Sequence, residues 1–445
     1  MSTDADAATK CARLLKFKEF LARSNSNNKS GEQNAANELA RNGSCVTRSS
    51  NDTYKVTGDE RRAEIVAAIW KQLNTRGCPQ GFQLKLLHSA REQVEHEIRH
   101  AKEFETNLDV AEPQYDLLKL QKYVATQLDK LLLTLTDNAA LEKLQLYADD
   151  GILCTEPGSC QCGSLDSQPP TCSAAAIKNK PRKMEDRHVC LERFGAIYQL
   201  KNHPDCRFFG VFDGHSGALS ASYVTSQLPQ LLAEQLRRAP ESMESNADFY
   251  RTAFETAFLQ ADERFARKRI TSGTTAVCGL ITDDRQLYIA WVGDSKALLV
   301  GERTQLQLVK PHKPEAVDER RRIELCGGSV IHAQGQWRVN GILNVGRSIG
   351  DYCLEAVIAE PDFVDVPLSE AHDFLVLGSD GLWDHVPEAF IVDTVYECLA
   401  DPQTKLDDIP KLLVEAAKER DSQDNITCIL VLLKPRLQIG PRLAN

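Results

Sequence analysis

A chain of 445 residues, 42% hydrophobic and 26% charged, can bury one large core or two smaller ones. Acids outnumber bases 63 to 53, a net charge of -10, which disfavours non-specific nucleic-acid binding and leaves carboxylates available for divalent cations. No apolar run approaches the ~18 residues that read as a membrane span, and the opening MSTDADAATK lacks the apolar stretch of a secretion signal.

Along the chain, the first candidate element is KCARLLKFKEFLAR. Leu14, Leu15, Phe17, Phe20 and Leu21 alternate there with Lys and Arg, as in a short basic amphipathic helix. It reads either as a membrane-surface or partner-binding helix, or as a terminal helix docked on its own protein. Residues 24–58, rich in Asn, Ser and Gly, bury too little to offset chain entropy, so 1–58 is expected to be largely disordered around that helix. Residues 59–149 carry apolar positions at three- and four-residue spacing, in RRAEIVAAIWKQL, FQLKLLHSAREQVEHEIRHAKEF and YDLLKLQKYVATQLDKLLLTL, broken near Pro79 and Pro113. They predict a helical module, a candidate for binding a protein partner.

Residues 150–173 form a Gly/Ser/Pro/Cys linker. Its Cys154, Cys160, Cys162 and Cys172 lack the paired spacing of a structural zinc site. Most of the other cysteines, such as Cys190, Cys278, Cys326, Cys398 and Cys428, sit singly in apolar runs. Free thiols there act as small hydrophobes, and a reduced, cytoplasmic protein is expected, with the nucleus as the alternative.

From residue 174 to 435 the texture changes to short apolar runs typical of strands: FFGVF, TTAVCGLIT, LYIAWV, KALLVG, LQLVK, FLVLG and ITCILVLL. Two long helical patterns intervene, ALSASYVTSQLPQLLAEQLRR and NADFYRTAFETAFLQADERFARK. LYIAWV and SKALLV, separated only by Gly-Asp, have the spacing of a hairpin. The pattern predicts antiparallel sheets with helices packed on them, an α+β fold and not a doubly wound one. The stripe Phe249, Phe254, Phe258 and Phe265 is expected in the core, and residues 436–445 as a tail.

Carboxylates recur where these strands end. Asp213 closes FFGVF, Asp294 follows LYIAWV, Asp380 follows FLVLG, Asp424 precedes ITCILVLL, and Glu185 and Asp186 stand in KMEDRH. One Asp-Gly turn is ordinary. Several acids on separate strands, away from Lys and Arg, repel one another unless cations join them. Oxygen donors without paired Cys or His select Mg²⁺ or Mn²⁺. DGHSG lacks the spacing of a P-loop, and its Asp would repel a bare phosphate, so a metal site is the better reading.

These motifs, KMEDRH, VFDGHSG, SGTTAV, VGDSKALLV, RVNGILNVGRSIGD, SDGLWD and DNITCILVLL, resemble in order and spacing those of the metal-dependent protein phosphatases, the protein phosphatase 2C family. The resemblance is strongest to the branch that contains the calcium/calmodulin-dependent protein kinase phosphatase. It implies a four-layer sandwich, two antiparallel β-sheets flanked by helices, with an N-terminal helical extension. It implies removal of phosphate from phosphoserine and phosphothreonine of protein substrates, with protein kinases among the candidates, at a centre of two Mn²⁺ or Mg²⁺ ions and a third, weaker site. By the same resemblance Asp213 bridges the two ions, the Gly214 carbonyl joins it, and Asp380 and Asp424 hold the other side. Glu185 holds water, Asp294 belongs to the third site, and His215 is the general acid for the leaving alkoxide. Asp351, in RSIGD, supports the site, and a flap around Gly327 to Gly341 places Trp337 and Arg338 near substrate.

The chain departs from the family pattern twice. Pro181 occupies the position of a phosphate-gripping arginine, leaving Arg182 or Lys180 to reach the phosphate, and Ser216 replaces a smaller residue. Pro181 raises an alternative, a pseudophosphatase that binds phosphoproteins without turning them over. A nucleotide-dependent oxidoreductase or kinase lacks its motifs here.

Overall fold

A computed structural model of the chain describes residues 16–25, 53–98, 113–135, 171–238 and 247–440. Cys154, Cys160 and Cys162, most of the stretch read as disordered, and most of the linker lie outside these residues. The chain divides into two compact units, residues 1–169 and 170–445.

In the first unit, helix α1 (residues 16–25) buries Phe17 and Phe20 completely, and the Phe17 ring stacks on Phe82 at 4.0 Å. The amphipathic helix is thus docked on its own unit. Strand β1 (Lys55–Thr57) precedes α2 (Arg61–Thr75) and α3 (Gln80–Ile98); β2 (Gln114–Asp116) leads into α4 (Leu117–Thr134), where the Asp116 side chain caps the backbone N–H of Lys119. The β1–β2 pair corrects one expectation: the stretch read as disordered up to residue 58 is ordered from residue 53. Tyr54 and Val56 alternate inward, and the Tyr54 hydroxyl donates to Glu64 at 2.8 Å, so two apolar side chains offset the local entropy.

The second unit opens with β3 (Cys172–Ile177), β4 (Arg187–Leu191), α5 (Phe194–Tyr198), β5 (Arg207–Phe212) and β6 (Gly214–His215). Helices α6 (Leu219–Leu236) and α7 (Ala247–Ala266) follow, then β7 (Gly273–Thr274), β8 (Ala276–Ile281), β9 (Gln286–Val292), β10 (Lys296–Gly301) and β11 (Thr304–Gln307). Next come α8 (Val317–Leu325), the hairpin β12 (Val330–Ala333) and β13 (Gln336–Val339), β14 (Ile349–Gly350), β15 (Asp362–Pro367) and β16 (His372–Gly378). The short α9 (Asp380–Trp383), α10 (Glu388–Ala400), α11 (Ile409–Glu419) and β17 (Ile426–Leu432) complete it.

The strands make two five-stranded antiparallel sheets, ordered β11-β10-β16-β17-β3 and β15-β9-β8-β5-β4. Their inner faces meet in one core: Phe209, Val211, Val277 and Ile289 on one side pack with Leu299, Leu375, Ile429 and Val431 on the other. The outer face of the first sheet is covered by α10 and α11 through Ile391, Val395 and Leu413. On the second sheet lies the α6–α7 pair, whose Tyr250 stacks on Tyr288 at 4.0 Å and whose Phe254 meets Phe363. This is the four-layer sandwich that the resemblance implied. Strands covered on both sides read as continuous apolar runs, and β8 (AVCGLI) is buried at every position. Of the Phe stripe, Phe254, Phe258 and Phe265 are fully buried, while Tyr250 takes the inward place beside the half-buried Phe249.

A second expectation is corrected at Gly293. β9 and β10 do not pair as a hairpin: β9 lies between β15 and β8 in one sheet, and β10 between β11 and β16 in the other. Gly293 (φ +92) turns the chain where an added Cβ would fall 2.5 Å from the Thr275 methyl, a place only glycine fits. The Gly-Asp-Ser turn therefore carries the chain across the sandwich.

Candidate active site

That crossing positions Asp294. The turn is clasped by His312, whose Nδ1 accepts from Gly293 N at 3.0 Å while its own backbone N–H donates to the Gly293 carbonyl at 2.9 Å. Asp294 is buried and ion-paired with Lys313. Asp213 stands where β5 ends and β6 begins. Its carbonyl accepts from Thr275 N at 2.9 Å and Thr274 Oγ1 at 3.1 Å, so the two threonines of SGTTAV fix its backbone. Asp380 opens α9 directly after β16, and Asp424 lies two residues before β17.

Glu185 and Asp186 stand just before β4, in a loop fastened by one side chain. Asn425 Oδ1 accepts from Glu185 N at 2.6 Å and Asp186 N at 3.4 Å, while its Nδ2 donates to the carbonyls of Lys178 and Lys183. The Glu185 carboxylate accepts from Gly217 N at 3.2 Å, tying KMEDRH to the DGHSG turn. Within that turn Gly214 and His215 form β6, and Ser216 adopts a left-handed φ of 56.

The acids converge electrostatically. Burial raises Asp213 well above the usual carboxylate range, and Asp186, Asp380, Asp294 and Asp424 raise it further. Burial, then Asp294, Asp424 and Asp384, push Asp380 to about 8. Lys313 faces the same group. Burial alone would lower its pKa, but the Asp294 carboxylate, with Asp380 and Asp384, outweighs this and raises it.

Asp186 is the residue that the motif reading undervalued. It is buried, its Oδ2 accepts from Ser379 Oγ (2.9 Å) and Thr427 Oγ1 (2.7 Å), and burial pushes its pKa to about 6. Its charge is one of those that raise Asp213. The signal was its position beside Glu185 at a strand start; what hid it was that Ser379 and Thr427 reach it from 193 and 241 residues away. The His312 clasp was missed for the same reason, whereas Asp384 lies close in sequence to the Asp380 it acts on, at the end of α9.

These residues fit divalent cations. The side-chain donors are carboxylate oxygens from separate elements, and Asp186 Oδ1 is buried with no hydrogen-bond partner. Among the described residues no three His, Cys, Asp or Glu side chains are already drawn into a closed coordination set.

His215 lies beside the acids and is held separately. Its Nε2 is 2.6 Å from Asp351 Oδ2, which also accepts from Ser348 Oγ at 2.5 Å. The pair rests over Gly273, where an added Cβ would fall 2.0 Å from Asp351 Oδ2 and 2.4 Å from His215 Nε2. Arg182 and Lys180 are exposed on the loop ahead of Met184, and neither forms an ion pair among the described residues. In the β12–β13 hairpin, Trp337 sits edge-on to His332 with the Arg320 guanidinium 5.8 Å above it, while Arg338 is tied to the Ile342 carbonyl.

The sequence matches the family model described as protein phosphatase 2C over residues 171–426. It is 39% identical over 269 residues to protein phosphatase 1F of Homo sapiens, covering 59% of this chain and 57% of that protein. It is 31% identical over 388 residues to protein phosphatase 1E of Homo sapiens, covering 85% of this chain and 47% of that protein. The chain thus spans about half the length of these relatives. Among solved structures, one described as a C. elegans sex determining protein superposes with a TM-score of 0.65 at 22% identity, covering 85% of this chain and 89% of that one, a likeness of fold. With the matched model spanning more than half of the sequence, the chain belongs to the protein phosphatase 2C family.

Proposed function

We propose that the second unit is a metal-dependent protein serine/threonine phosphatase. The observation that carries the reading is the convergence of Asp186, Asp294, Asp380 and Asp424 on the buried Asp213, whose carboxyl is raised by burial first and by those four acids in addition. Asp213 and the Gly214 carbonyl would hold the ions from one sheet, and Asp380 and Asp424 from the other. Asp294 would serve a third, weaker site. When bound, Mn²⁺ or Mg²⁺ supplies positive charge for the phosphate and an acidified water for attack on phosphorus.

The chain's own groups do the rest. Glu185, fixed by Gly217 N, orients water at the turn. His215 is anchored through Nε2 on Asp351, which leaves Nδ1 to carry a proton to the departing serine or threonine oxygen. Arg182, exposed and without an ion-pair partner among the described residues, is available to a phosphate. In this reading residues 174–435 are the catalytic domain, 150–173 a linker, and 59–149 a helical module that engages a protein partner.

Pro181 favours one second reading, a phosphoprotein-binding pseudophosphatase. The deciding measurement is hydrolysis of a phosphothreonine peptide across a Mn²⁺ and Mg²⁺ titration, for the parent, Asp213→Ala and Pro181→Arg. Metal-dependent turnover lost in Asp213→Ala supports the enzyme. Turnover that resists chelation sinks it. Peptide binding without turnover under saturating metal establishes the second reading. A gain of about tenfold in Pro181→Arg would measure the missing phosphate contact.

A further inference from the structure

The His215–Asp351 pair depends on a backbone that an isolated loop would not keep. Asp351 has a left-handed φ of 55, uncommon for a side chain with a Cβ, and it is buried. Both of its neighbours are held by one residue, Asp262, which comes from α7 and not from the loop. Asp262 Oδ1 accepts from Gly350 N at 2.8 Å. The Tyr352 hydroxyl lies 3.1 Å from the same oxygen and donates to the Asp262 carbonyl at 2.7 Å. The Tyr352 ring lies 6.3 Å from that of Phe265 on the same helix, so the anchor is packed as well as bonded.

Asp262 is the polar interruption of a face otherwise given to Phe254, Phe258 and Phe265, and among the described residues no cation pairs with it. A half-buried carboxylate with no cation costs stability, so packing of α7 does not explain it. Its partners do. It grips the residue before Asp351 and the residue after it, and Asp351 grips the imidazole.

We propose that Asp262 is a positioning residue of the reaction: through Gly350 and Tyr352 it sets the left-handed Asp351 that orients His215. This rests on the phosphatase reading, in which His215 protonates the leaving oxygen. Protonation matters for a threonine alkoxide and hardly at all for p-nitrophenolate, which leaves unaided. A positioning role therefore acts on one substrate class and spares the other.

The test uses the full chain with Mn²⁺, a phosphothreonine peptide and p-nitrophenyl phosphate. In Asp262→Ala, kcat on the peptide falls about 10- to 100-fold while kcat on the aryl ester changes less than about threefold. Asp262→Asn, whose Oδ1 still accepts from Gly350 N and Tyr352, stays within about threefold on both. Tyr352→Phe, which keeps the Gly350 bond, gives a smaller loss in the same direction. Equal losses on the two substrates, no loss on the peptide, or failure of the Asn variant to rescue would each overturn the proposal.

A second readout does not depend on turnover. With ¹⁵N-labelled histidine, the hydrogen-bonded Nε2–H resonance of His215, assigned by its loss in His215→Ala, should persist in the parent and Asp262→Asn and vanish in Asp262→Ala. Its persistence in Asp262→Ala overturns the proposal. A parent inactive on both substrates would instead remove the phosphatase reading and leave this resonance to decide the role of Asp262.

Discussion

Asp380→Asn should stabilise the metal-free chain and make it indifferent to metal. Burial and the Asp294 and Asp424 carboxylates push the Asp380 pKa to about 8, against about 3.9 for an unfolded chain. Between those values the folded chain holds a proton that the unfolded chain has released. Metal-free stability is therefore full below about pH 4 and is lost as the pH rises through 8. Carried by one carboxyl, a shift of that size is worth about 5 kcal/mol at pH 8. Asp186 and Asp213 share the same repulsion, so removing one charge should return about 2 kcal/mol, or roughly 4 to 8 °C in melting temperature. In the parent, Mn²⁺ at a hundred times its Kd should contribute about 2.7 kcal/mol. The assay is thermal unfolding followed by circular dichroism at pH 5 and pH 8, in chelator and in Mn²⁺. At pH 8 in chelator the Asn variant should melt above the parent; in Mn²⁺ the order should reverse. An Asn variant that melts at or below the parent in chelator, or gains as much from Mn²⁺, would refute the picture of mutually repelling ligands.

Other perturbations separate the parts of the site. Asp186→Ala should weaken Mn²⁺ binding about 10- to 100-fold by calorimetric titration, since it removes a buried acid whose charge bears on Asp213. Gly273→Ala should drive a methyl into the His215–Asp351 pair and lower peptide turnover by about 100-fold, with Mn²⁺ affinity changed less, because the atoms nearest that carbon belong to His215 and Asp351. Asn425→Ala should cost about 2 to 3 kcal/mol in urea unfolding, as it releases Glu185 N and Asp186 N and leaves the carbonyls of Lys178 and Lys183 without their donor.

Much of the site was legible because its acids occupy strand ends, where an apolar run stops and a charged residue must face something. FFGVF before Asp213 and ITCILVLL after Asp424 are readable without a partner strand. What could not be read is which strand lies beside which. Gly-Asp between two apolar runs is as good a signal for a hairpin as for a crossing, and only the Thr275 methyl beneath Gly293 decides it. Contacts across long sequence distances were likewise silent: Ser379 and Thr427 on Asp186, His312 on Gly293, and Asp262 on Gly350. Order at Tyr54 and Val56 was hidden because two apolar residues in a polar stretch carry no periodicity.

The crossing at Gly293 also bears on how such a chain is made. Before it, the second unit has supplied four strands of one sheet, yet its opening strand, β3, belongs to the edge of the other. After it, the chain builds β10, β11, β16 and β17, yet sends β15 back to the edge of the sheet that holds β9. Each half therefore lends the other a border strand, and neither sheet is finished until both halves are present. A nascent chain halted before β15 and β17 would expose unpaired edges on β9, the kind of surface that invites aggregation. Non-local closure of this kind is slow. It should make refolding from denaturant markedly slower than for a helical domain of equal length. It should also let two separately expressed halves, cut at the Gly-Asp-Ser turn, recover each other only by exchanging those strands.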